Sequence, residues 1–322
     1  MSPKSWASAA LLLLALELHA EPVTLIFAGD IMLDDGPGRL IGQGGDPLQP
    51  FADILDAADY RIGNLECPVA ESGAPLDNKI YNFRAKPRAL PVLHKRFDAV
   101  ALANNHSGDY GHDAFLDTMQ HLDNAGIAYF GGGRNLVEAH QPLWIERKGL
   151  KIAVLGYNEF KPRSFEAGAN WPGIAWSEDD QVISDIRSAK AAGADLVIPF
   201  MHWGWERETT PSERQKTLAR RMIDEGASLV VGGHPHVTQG AEIYQGKPIV
   251  YSLGNFVFDG FEDTPAAKRG WLLRLKLDKN GVVFWDTLAA QIDDDGTPYP
   301  VSGTFTPCGR GGDDLVSECH NP

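Results

Sequence analysis

The chain has 322 residues, of which 43% are hydrophobic, and this is enough to bury a sizeable core as one large domain or as one domain with an appendage. Its formal net charge of -14 and its pI near 5.1 argue against a protein that binds nucleic acid or an anionic membrane surface, because the long-range field repels phosphate groups. We therefore expect no nucleic-acid partner.

The N-terminus has the features of a secretory signal peptide. Lys4 precedes an apolar run centred on residues 11–16, and the segment ends on the small residue Ala20. The run is short for a membrane span, so an uncleaved N-terminal anchor is the alternative. We predict that residues 1–20 are a signal peptide and that the protein is exported to the periplasm or the cell exterior.

Five β-prone runs each lead into polar or ionisable side chains. The first, residues 23–29, is a continuous apolar run of the kind found in buried central strands of layered α/β proteins. The other four cover residues 60–64, 99–102, 196–200 and 229–231. The side chains that follow the five runs are, in order, Asp30, Glu66, Asn105 with His106, His202, and His234 with His236. Because open α/β sheets bind ligands at the carboxyl ends of their strands, we expect these side chains to converge.

Helix-like stretches separate several of these strands. The clearest are residues 178–192 and residues 212–225, the second of which is opened by Pro211. This alternation of strand and helix predicts a layered α/β fold.

The C-terminal third is predicted to be mainly β. Strand-like runs cover residues 248–251, 271–277 and 282–285, and the last two are joined through residues 278–281, which carry a hairpin signal. From residue 293 to residue 322 Gly, Pro and Asp accumulate, and we expect an extended tail wrapped on the surface.

Two of the three cysteines lie in this tail. In an oxidising compartment Cys308 and Cys319 are expected to form a disulfide. Cys67 is left over directly after Glu66, and we interpret it as a small buried residue beside the site, with a reactive thiol as the alternative.

The ionisable residues at the strand ends form a mixed set of metal-binding groups. Asp, Glu, an Asn carbonyl and His together suit Mn, Fe or Zn better than Ca²⁺, which takes oxygen ligands only. A structural zinc site would instead be rich in thiolates. The set therefore predicts two divalent transition-metal ions as cofactors.

Six motifs carry a resemblance to a known family. They are Phe27-Ala28-Gly29-Asp30-Ile31-Met32, Asn64-Leu65-Glu66, Ala103-Asn104-Asn105-His106 with Asp109-Tyr110-Gly111, His202-Trp203-Gly204 with Glu206, Gly232-Gly233-His234-Pro235-His236, and Ser252-Leu253-Gly254-Asn255-Phe256. On these motifs the chain resembles the bacterial capsule-synthesis family of the CapA or polyglutamate-synthesis type, which is similar in turn to calcineurin-like metallophosphoesterases. The resemblance implies a layered αββα sandwich over residues 21–292.

The resemblance also implies roles for individual residues. The implied metal ligands are Asp30 and His236 on one ion, Asn105, His202 and His234 on the other, and Glu66 between them. His106 is implied as the acid that protonates a leaving group, with Asp109 orienting it. Glu206 is expected to support His202 from behind, or else to be solvated.

Two positions depart from the phosphoesterase pattern. Met32 stands where that pattern has an imidazole, and Glu66 stands where it has an aspartate. We therefore expect one of the two ions to have the poorer set of ligands and to bind weakly or only together with substrate.

A basic stretch bears on the substrate. Six basic residues occur there without an acidic residue among them: Lys79, Arg84, Lys86, Arg88, Lys95 and Arg96. Arg84 and Lys86 alternate along an extended segment and are predicted to bind an anionic substrate, with Asn255 on the floor of the pocket. A solvated face with scattered charges is the alternative interpretation.

Three functions remain open at this point. The first is an exported metal-binding protein in the synthesis or processing of a poly-γ-glutamate type of capsule polymer, retaining metal-dependent hydrolase chemistry. The second is a periplasmic phosphoesterase unrelated to capsule, and the third is a non-catalytic binding or scaffold protein. The expected partners are an anionic polymer or phosphoester substrate and a membrane complex that synthesises the polymer.

Overall fold

The computed structural model describes residues 21–77, 79–310 and Cys319. The predicted signal peptide lies outside the described residues and remains a prediction. Within the described part of the chain, no helix is both long enough and apolar enough to cross a membrane.

Strands and helices alternate through the first two thirds of the chain, and strands dominate the last third. The strands are β1 (Val23–Ile31), β2 (Tyr60–Leu65), β3 (Ala99–Ala101), β4 (Ala128–Phe130), β5 (Gly132–Gly133), β6 (Leu143–Arg147), β7 (Leu150–Asn158), β8 (Gly173–Ile174), β9 (Leu196–His202), β10 (Val230–Gly233), β11 (Ala241–Tyr244), β12 (Lys247–Val250), β13 (Asn255–Val257), β14 (Arg269–Asp278), β15 (Gly281–Ile292), β16 (Pro298–Pro300) and β17 (Thr306–Arg310). The α-helices are α1 (Asp35–Gly42), α2 (Ala52–Asp56), α3 (Leu90–His94), α4 (Gly111–Ala125), α5 (Leu136–Ala139), α6 (Asp179–Ala191) and α7 (Glu213–Asp224).

The larger sheet contains nine strands. Its main order is β16-β15-β14-β1-β2-β3-β4, with β13 beside the end of β1 and β17 beside β15. The strands β1, β2, β3 and β4 run parallel, whereas β14, β15 and β16 are antiparallel. The parallel half therefore gathers its carboxyl ends at one edge, where the predicted site residues follow.

The smaller sheet has the order β11-β12-β10-β9-β7-β6. Its central strands β7, β9, β10 and β12 are parallel, and the outer strands β6 and β11 pair antiparallel. Helix α7 feeds into β10 and begins with a capping box, in which the Ser212 side chain accepts from the backbone of Gln215 and the Gln215 side chain accepts from the backbone of Ser212.

Three apolar clusters hold these elements in layers. One cluster lies between the sheets, where Phe27 of β1 meets Phe200 of β9 with ring centroids 5.6 Å apart. A second packs Phe115 of α4 against the outer face of the larger sheet, and a third packs Leu218 of α7 against the smaller sheet. Burying each such side chain contributes about 1.5–3 kcal/mol. The layers follow the order helix, sheet, sheet, helix, so the predicted αββα sandwich is confirmed.

The C-terminal segment differs from the predicted surface wrap. Residues 298–300 and 306–310 form β16 and β17, both of which pair with β15 and extend the larger sheet. Cys308 and Cys319 form the predicted disulfide, with Cα atoms 5.6 Å apart, and both are buried beside Trp285 in the cluster between the sheets. Short runs such as these become strands only where a neighbouring strand offers its edge, and β15 does so on this side of the sheet.

Helix α4 is a second difference, because no helix was predicted there. Its buried residues, Ala114, Phe115, Thr118, Met119 and Leu122, recur at spacings of three and four, which is the period of a helix face. The helix ends at Gly126, whose φ of 71° provides a left-handed C-terminal cap. Both signals are present in the sequence.

Candidate metal centre

The registers of the larger sheet bring three polar residues side by side. In this register Asp30 of β1 is paired with Asn64 of β2 and also with Asn255 of β13. The Asn64 side chain donates from Nδ2 to Oδ1 of Asp30 at 2.8 Å. A buried carboxylate is thus held in one orientation by its neighbouring strand.

The smaller sheet contributes its histidines at the same edge. His202 at the end of β9 is paired with Gly233 of β10, and His234 and His236 follow directly. A Cβ atom on Gly233 would lie 3.0 Å from Oδ1 of Asp30, so a side chain at this position would press on the Asp30 carboxylate. His234 and His236 have φ angles of 95° and 59°, a left-handed backbone that is strained for residues other than glycine and is typical of functional sites.

Two overlapping groups of possible metal ligands result. Glu66, His202 and His234 form one, and Asp30, Glu66 and His236 form the other. In each group the candidate ligand atoms lie within 4.8 Å of one another. Glu66 belongs to both groups, which is the arrangement expected of a carboxylate between two ions.

Glu66 is completely buried, and neither of its oxygens has a hydrogen-bond partner among the described residues. Oε1 lies 3.3 Å from Nε2 of His202 and 3.9 Å from Nε2 of His236. Burial, together with the negative charge of Asp30, raises the pKa of Glu66 well above its ordinary value. An unpaired buried carboxylate is costly, and a cation in this position would satisfy it.

The three histidines near Glu66 also have shifted pKa values. Burial lowers the pKa of His202 to about 3. Burial, together with the nearby imidazoles of His202 and His236, lowers the pKa of His234 well below its ordinary value. His202 and His234 are therefore neutral, which is the form that binds metals. For His236, burial opposes the charged form, but the carboxylates of Glu66 and Asp30 outweigh it and raise its pKa to about 9.

Side-chain amides orient these rings. Nε2 of His202 lies 2.7 Å from Oδ1 of Asn105 and 3.1 Å from Nδ1 of His234, while Nδ1 of His202 lies 3.2 Å from Nδ2 of Asn64. The contact with the Asn64 amide holds the ring of His202 in place, and Nε2 faces the other candidate ligands. The expectation that Glu206 supports His202 is wrong, because Glu206 is exposed and Asn64 takes that place.

Asn255 performs the equivalent task for His236. Its Oδ1 atom lies 2.8 Å from Nδ1 of His236, and its Nδ2 atom donates to the backbone of Ala267. With Nδ1 donating to Asn255, the second ring nitrogen faces Glu66. Asn255 thus shapes the floor of the site, and its contact with substrate stays a prediction.

His106 and Asp109 form a pair beside the candidate ligands. Nδ1 of His106 lies 2.7 Å from Oδ2 of Asp109, as expected if Asp109 orients the ring. The backbone N–H of Phe83 also donates to Oδ2 of Asp109, at 2.8 Å, and the Phe83 ring lies against His106 with centroids 4.6 Å apart. Burial lowers the pKa of His106 to about 4.

Of the basic stretch, Lys79 is the member that enters the site, and the sequence pattern did not single it out. Nζ of Lys79 donates to the backbone oxygen of Asn105 at 2.7 Å and to Oδ1 of Asp109. Arg84 instead donates to the backbone oxygen of Ser72 and lies over the ring of Tyr110, 4.1 Å from its centroid. The prediction that Arg84 binds substrate is therefore without support from these contacts.

Lys86 lines a separate cavity of about 200 Å³ together with Arg39, Arg88 and the acidic residues Asp34 and Asp35. Its side chain makes no hydrogen bond to any described residue of the candidate metal centre. That Lys86 binds substrate stays a prediction.

Met32, which departs from the phosphoesterase pattern, and Cys67, which directly follows Glu66, are both buried. Met32 packs in the apolar cluster under the helices, and its sulfur accepts from the backbone of Asp34 at 3.1 Å. Cys67 is a free, buried thiol whose sulfur accepts from the backbone of Leu33, and burial raises its pKa to about 12. Cys67 is therefore the small buried residue expected, because a protonated thiol is a poor nucleophile.

Aromatic rings line both sides of the centre. Phe160 lies against His234 with centroids 3.9 Å apart, and Phe258 and Phe261 lie 5.1 and 5.0 Å from the ring of His236. These rings limit the access of water, which strengthens the electrostatic interactions between the candidate ligands.

The residues present fit divalent transition-metal ions. The donor set of two carboxylates, one amide oxygen and three imidazoles matches the preferences of Mn, Fe and Zn. The described part of the chain also contains the two unpartnered buried acceptors that such ions would satisfy, namely the Glu66 carboxylate and Nε2 of His234. Fold and site together define a layered α/β protein with a candidate two-metal centre.

Comparison with known proteins gives the family. The family described as "Bacterial capsule synthesis protein PGA_cap" matches residues 24–260. The PGA biosynthesis protein CapA of Bacillus subtilis is 34% identical over 280 residues, which are 85% of this chain and 73% of that protein. The capsule biosynthesis protein CapA of Bacillus anthracis is 32% identical over 298 residues, which are 88% of this chain and 71% of that protein. The chain belongs to the bacterial capsule synthesis protein PGA_cap family.

Among solved structures, the chain is similar to the NAD nucleotidase of Haemophilus influenzae. The TM-score is 0.45 with 12% sequence identity, and the match covers 89% of this chain and 50% of that chain. This chain thus spans about half the length of that nucleotidase.

Proposed function

We propose that the centre binds two divalent transition-metal ions and catalyses metal-dependent hydrolysis during the synthesis or processing of a polyglutamate-type capsule polymer. The observation that carries the proposal is Glu66, a fully buried carboxylate shared by two groups of candidate ligands and left without a hydrogen-bond partner among the described residues. A protein without an ion at this point would bury the charge at a net cost.

Each candidate ligand has a defined position in the proposal. Asp30 and His236 would hold one ion, Asn105, His202 and His234 would hold the other, and Glu66 would contact both. Two such ions lower the pKa of bound water and stabilise charge that grows on a phosphoryl or acyl oxygen. Asn64 and Asn255 hold the rings of His202 and His236 in the orientation that this requires.

His106 supplies the proton in this proposal. Its Nδ1 atom donates to Asp109, so Nε2 is the nitrogen that exchanges a proton with the leaving group. Because burial lowers the pKa of His106 to about 4, the ring is neutral at pH 7, and Nε2 has to take up a proton before it can donate one. The Phe83 ring restricts the imidazole on one face and keeps bulk water from it.

The polymer context rests on family membership and on the names of the relatives, which are proteins of PGA and capsule biosynthesis. The substrate proposed is accordingly an anionic polymer or a phosphoester formed during its assembly, and the proposed partner is the membrane complex that makes the polymer.

Export is part of the same proposal. Residues 1–20 have the pattern of a signal peptide, and the buried Cys308–Cys319 disulfide is of a kind that persists in oxidising compartments. Detection of the protein in the periplasmic or culture fraction, with the disulfide intact and residues 1–20 removed, tests this part directly.

Metal analysis tests the centre. Protein incubated with Mn²⁺, Fe²⁺ or Zn²⁺ and then freed of loose ions is expected to retain close to two ions per chain by mass spectrometry. Asp30→Asn and His234→Ala are each expected to lower that number, whereas His94→Ala, at an exposed position on α3, leaves it unchanged. Wild-type protein without bound metal under these conditions would refute both the metal and the hydrolase proposals and leave a scaffold role.

A substrate panel tests the chemistry. Phosphomonoesters, phosphodiesters and γ-glutamyl peptides are offered to the metal-loaded protein, with Asp30→Asn as the inactive control. Turnover of phosphoesters alone, with no binding of polyglutamate, would favour a phosphoesterase unrelated to capsule. Full metal content without turnover of any compound would contradict the hydrolase proposal.

A further inference from the structure

Lys79 is held close to the candidate catalytic pair in a way that the proposed function does not use. Its side chain is 18% exposed and enters the site, where Nζ donates to the backbone oxygen of Asn105 at 2.7 Å and to Oδ1 of Asp109. Among the residues that the structure describes, no other lysine or arginine side chain hydrogen-bonds to a residue of the centre.

The hydrogen bonds around Asp109 show how many N–H groups of the Lys79 ammonium group have an acceptor. Nδ1 of His106 lies 2.7 Å from Oδ2 of the Asp109 carboxylate, so this nitrogen carries a hydrogen and donates it. Nζ of Lys79 lies 3.1 Å from the same nitrogen, which therefore cannot accept from it. An ammonium group has three donors, and two of them are used by Asn105 and Asp109.

The third N–H of Lys79 thus has no acceptor within the described part of the chain. The ammonium group is also bonded to the backbone of Asn105, whose side chain is 2.7 Å from Nε2 of His202. Asn105 therefore connects the lysine to the candidate ligands of an ion, and Nζ lies beside the ring of His106.

We propose that Lys79 binds an anionic oxygen of the substrate, a phosphate or carboxylate oxygen, next to the group that His106 protonates. This inference rests on the proposed function, since it places the substrate in the same site. Lys79 would select substrates that carry negative charge beside the bond to be broken, and neutral analogues would lose this contact.

The basic stretch then has a new interpretation. Arg84 is committed to Ser72 and Tyr110, and Arg96 donates to both carboxylate oxygens of Asp56. In this proposal the substrate is therefore bound by the ammonium group of Lys79 alone, and not by the basic stretch as a whole.

Binding of two simple anions tests the proposal. Inorganic phosphate and L-glutamate are titrated by calorimetry into wild-type protein, Lys79→Met and Lys95→Met, each in metal-loaded and in metal-stripped form. Lys79→Met is expected to weaken binding of at least one anion about tenfold or more, the loss of one charge-assisted hydrogen bond. Lys95→Met, at an exposed lysine of the same basic stretch, is expected to bind both anions as the wild type does.

The two anions distinguish the chemical class. A loss for phosphate alone identifies a phosphate subsite, and a loss for glutamate alone identifies a carboxylate subsite. Equal affinities of wild type and Lys79→Met for both anions, or no binding of either anion by wild type, would overturn the proposal. Metal content is measured separately, so a failure of metal binding is distinguishable from a failure of Lys79.

Lys79 also holds Asp109, so two further measurements separate anion binding from a structural role. A merely structural lysine would lower the melting temperature when replaced but leave anion affinity unchanged. If Lys79→Met does not fold, reductive methylation of wild-type protein is used instead. Phosphate or glutamate is expected to protect Lys79 and not the exposed Lys95 from methylation, as measured by mass spectrometry. Equal modification with and without both anions would overturn the proposal.

Discussion

Oε1 of Glu66 lies 3.3 Å from Nε2 of His202, across the gap between the two sheets. The two residues are 136 positions apart in the chain, and each is fixed by its own strand end. In the absence of a cation the carboxylate faces the ring nitrogen without a hydrogen bond among the described residues. The close approach is therefore costly in the metal-free protein and favourable when an ion separates the two groups.

Glu66→Gln is expected to stabilise the metal-stripped protein at pH 8 and to destabilise the metal-loaded protein relative to wild type. The pKa of Glu66 in the folded protein is raised above its value in the unfolded chain. Its contribution to the free energy of unfolding is therefore complete at a pH below the unfolded-state pKa, and it is lost as the pH rises through the folded-state pKa. The glutamine side chain does not ionise, so the variant does not lose stability as the pH rises in this way. We expect its Tm without metal to be about 2–6 °C higher than that of the wild type.

Differential scanning calorimetry with EDTA or with Mn²⁺ measures both effects. Glu146→Gln, an exposed position on β6, serves as the control and is expected to change neither value. A lower Tm for Glu66→Gln in the metal-stripped protein would show that the carboxylate is satisfied without an ion.

The metal-stripped protein is expected to lose stability between pH 6.5 and about pH 9. His236 has a folded-state pKa of about 9, against 6.5 when unfolded, so its contribution is complete below pH 6.5 and disappears as the pH approaches 9. The loss is on the order of 3 kcal/mol. Urea unfolding at pH 6.5 and pH 9 measures it.

His236→Gln is expected to flatten this dependence, and His94→Gln, at an exposed position, to retain it. Metal-loaded wild-type protein is expected to lack the dependence as well, because an ion replaces the proton on His236. An unchanged slope in His236→Gln would assign the pH dependence to another group.

His106→Ala is expected to retain wild-type metal content and to lower kcat by about 10²–10⁴-fold. The reason is that His106 is a proton donor in the proposed reaction and is turned toward Asp109 through Nδ1. Metal analysis and steady-state kinetics are measured on the same preparations, with His94→Ala as control. Loss of metal in His106→Ala would make His106 a ligand and refute its assignment as the acid.

Gly233→Ala is expected to weaken metal binding without unfolding the protein. The added Cβ would lie 3.0 Å from Oδ1 of Asp30, so this carboxylate or strand β10 has to shift by a few tenths of an ångström. We expect an increase in the metal dissociation constant of about tenfold or more, because ligand geometry sets affinity. Gly303→Ala, where the space around the new Cβ is open, is the matched control. Equal metal affinity in both variants would show that the site tolerates the shift.

Local patterns predicted much of the fold. Continuous apolar runs predicted β1, β2, β3, β9 and β10 to within a few residues, and the capped, periodic stretches predicted α6 and α7. These elements were predictable because their signals lie within a few turns or residues of the chain. Strands β16 and β17 were not, because their pairing depends on β15 and on the burial of Cys308.

The residues of the candidate site were likewise predictable from the sequence only in part. The strand ends indicated Asp30, Glu66 and the three histidines, because carboxylates and imidazoles together suit a transition-metal ion. Lys79 was one of six basic residues, and alternation along the chain favoured Arg84 and Lys86 instead of it. Asn64 precedes Glu66 by two residues without any pattern that predicts its contact with His202. Neither has a local signal that distinguishes it from a solvated or structural residue.

The sequence by itself determined which chemical groups end the parallel strands, and hence which side chains are candidate metal ligands, because side-chain identity and strand polarity are local properties. The tertiary structure decided which groups meet. The register of β1 with β2 places Asn64 against Asp30, and the approach of the two sheets places Glu66 against His202. The loop before Phe83 brings Lys79 into contact with Asp109, whereas Arg84 in the same stretch contacts Ser72 instead. Such contacts depend on packing between distant segments, where a shift of one residue reverses the direction of every side chain in a strand.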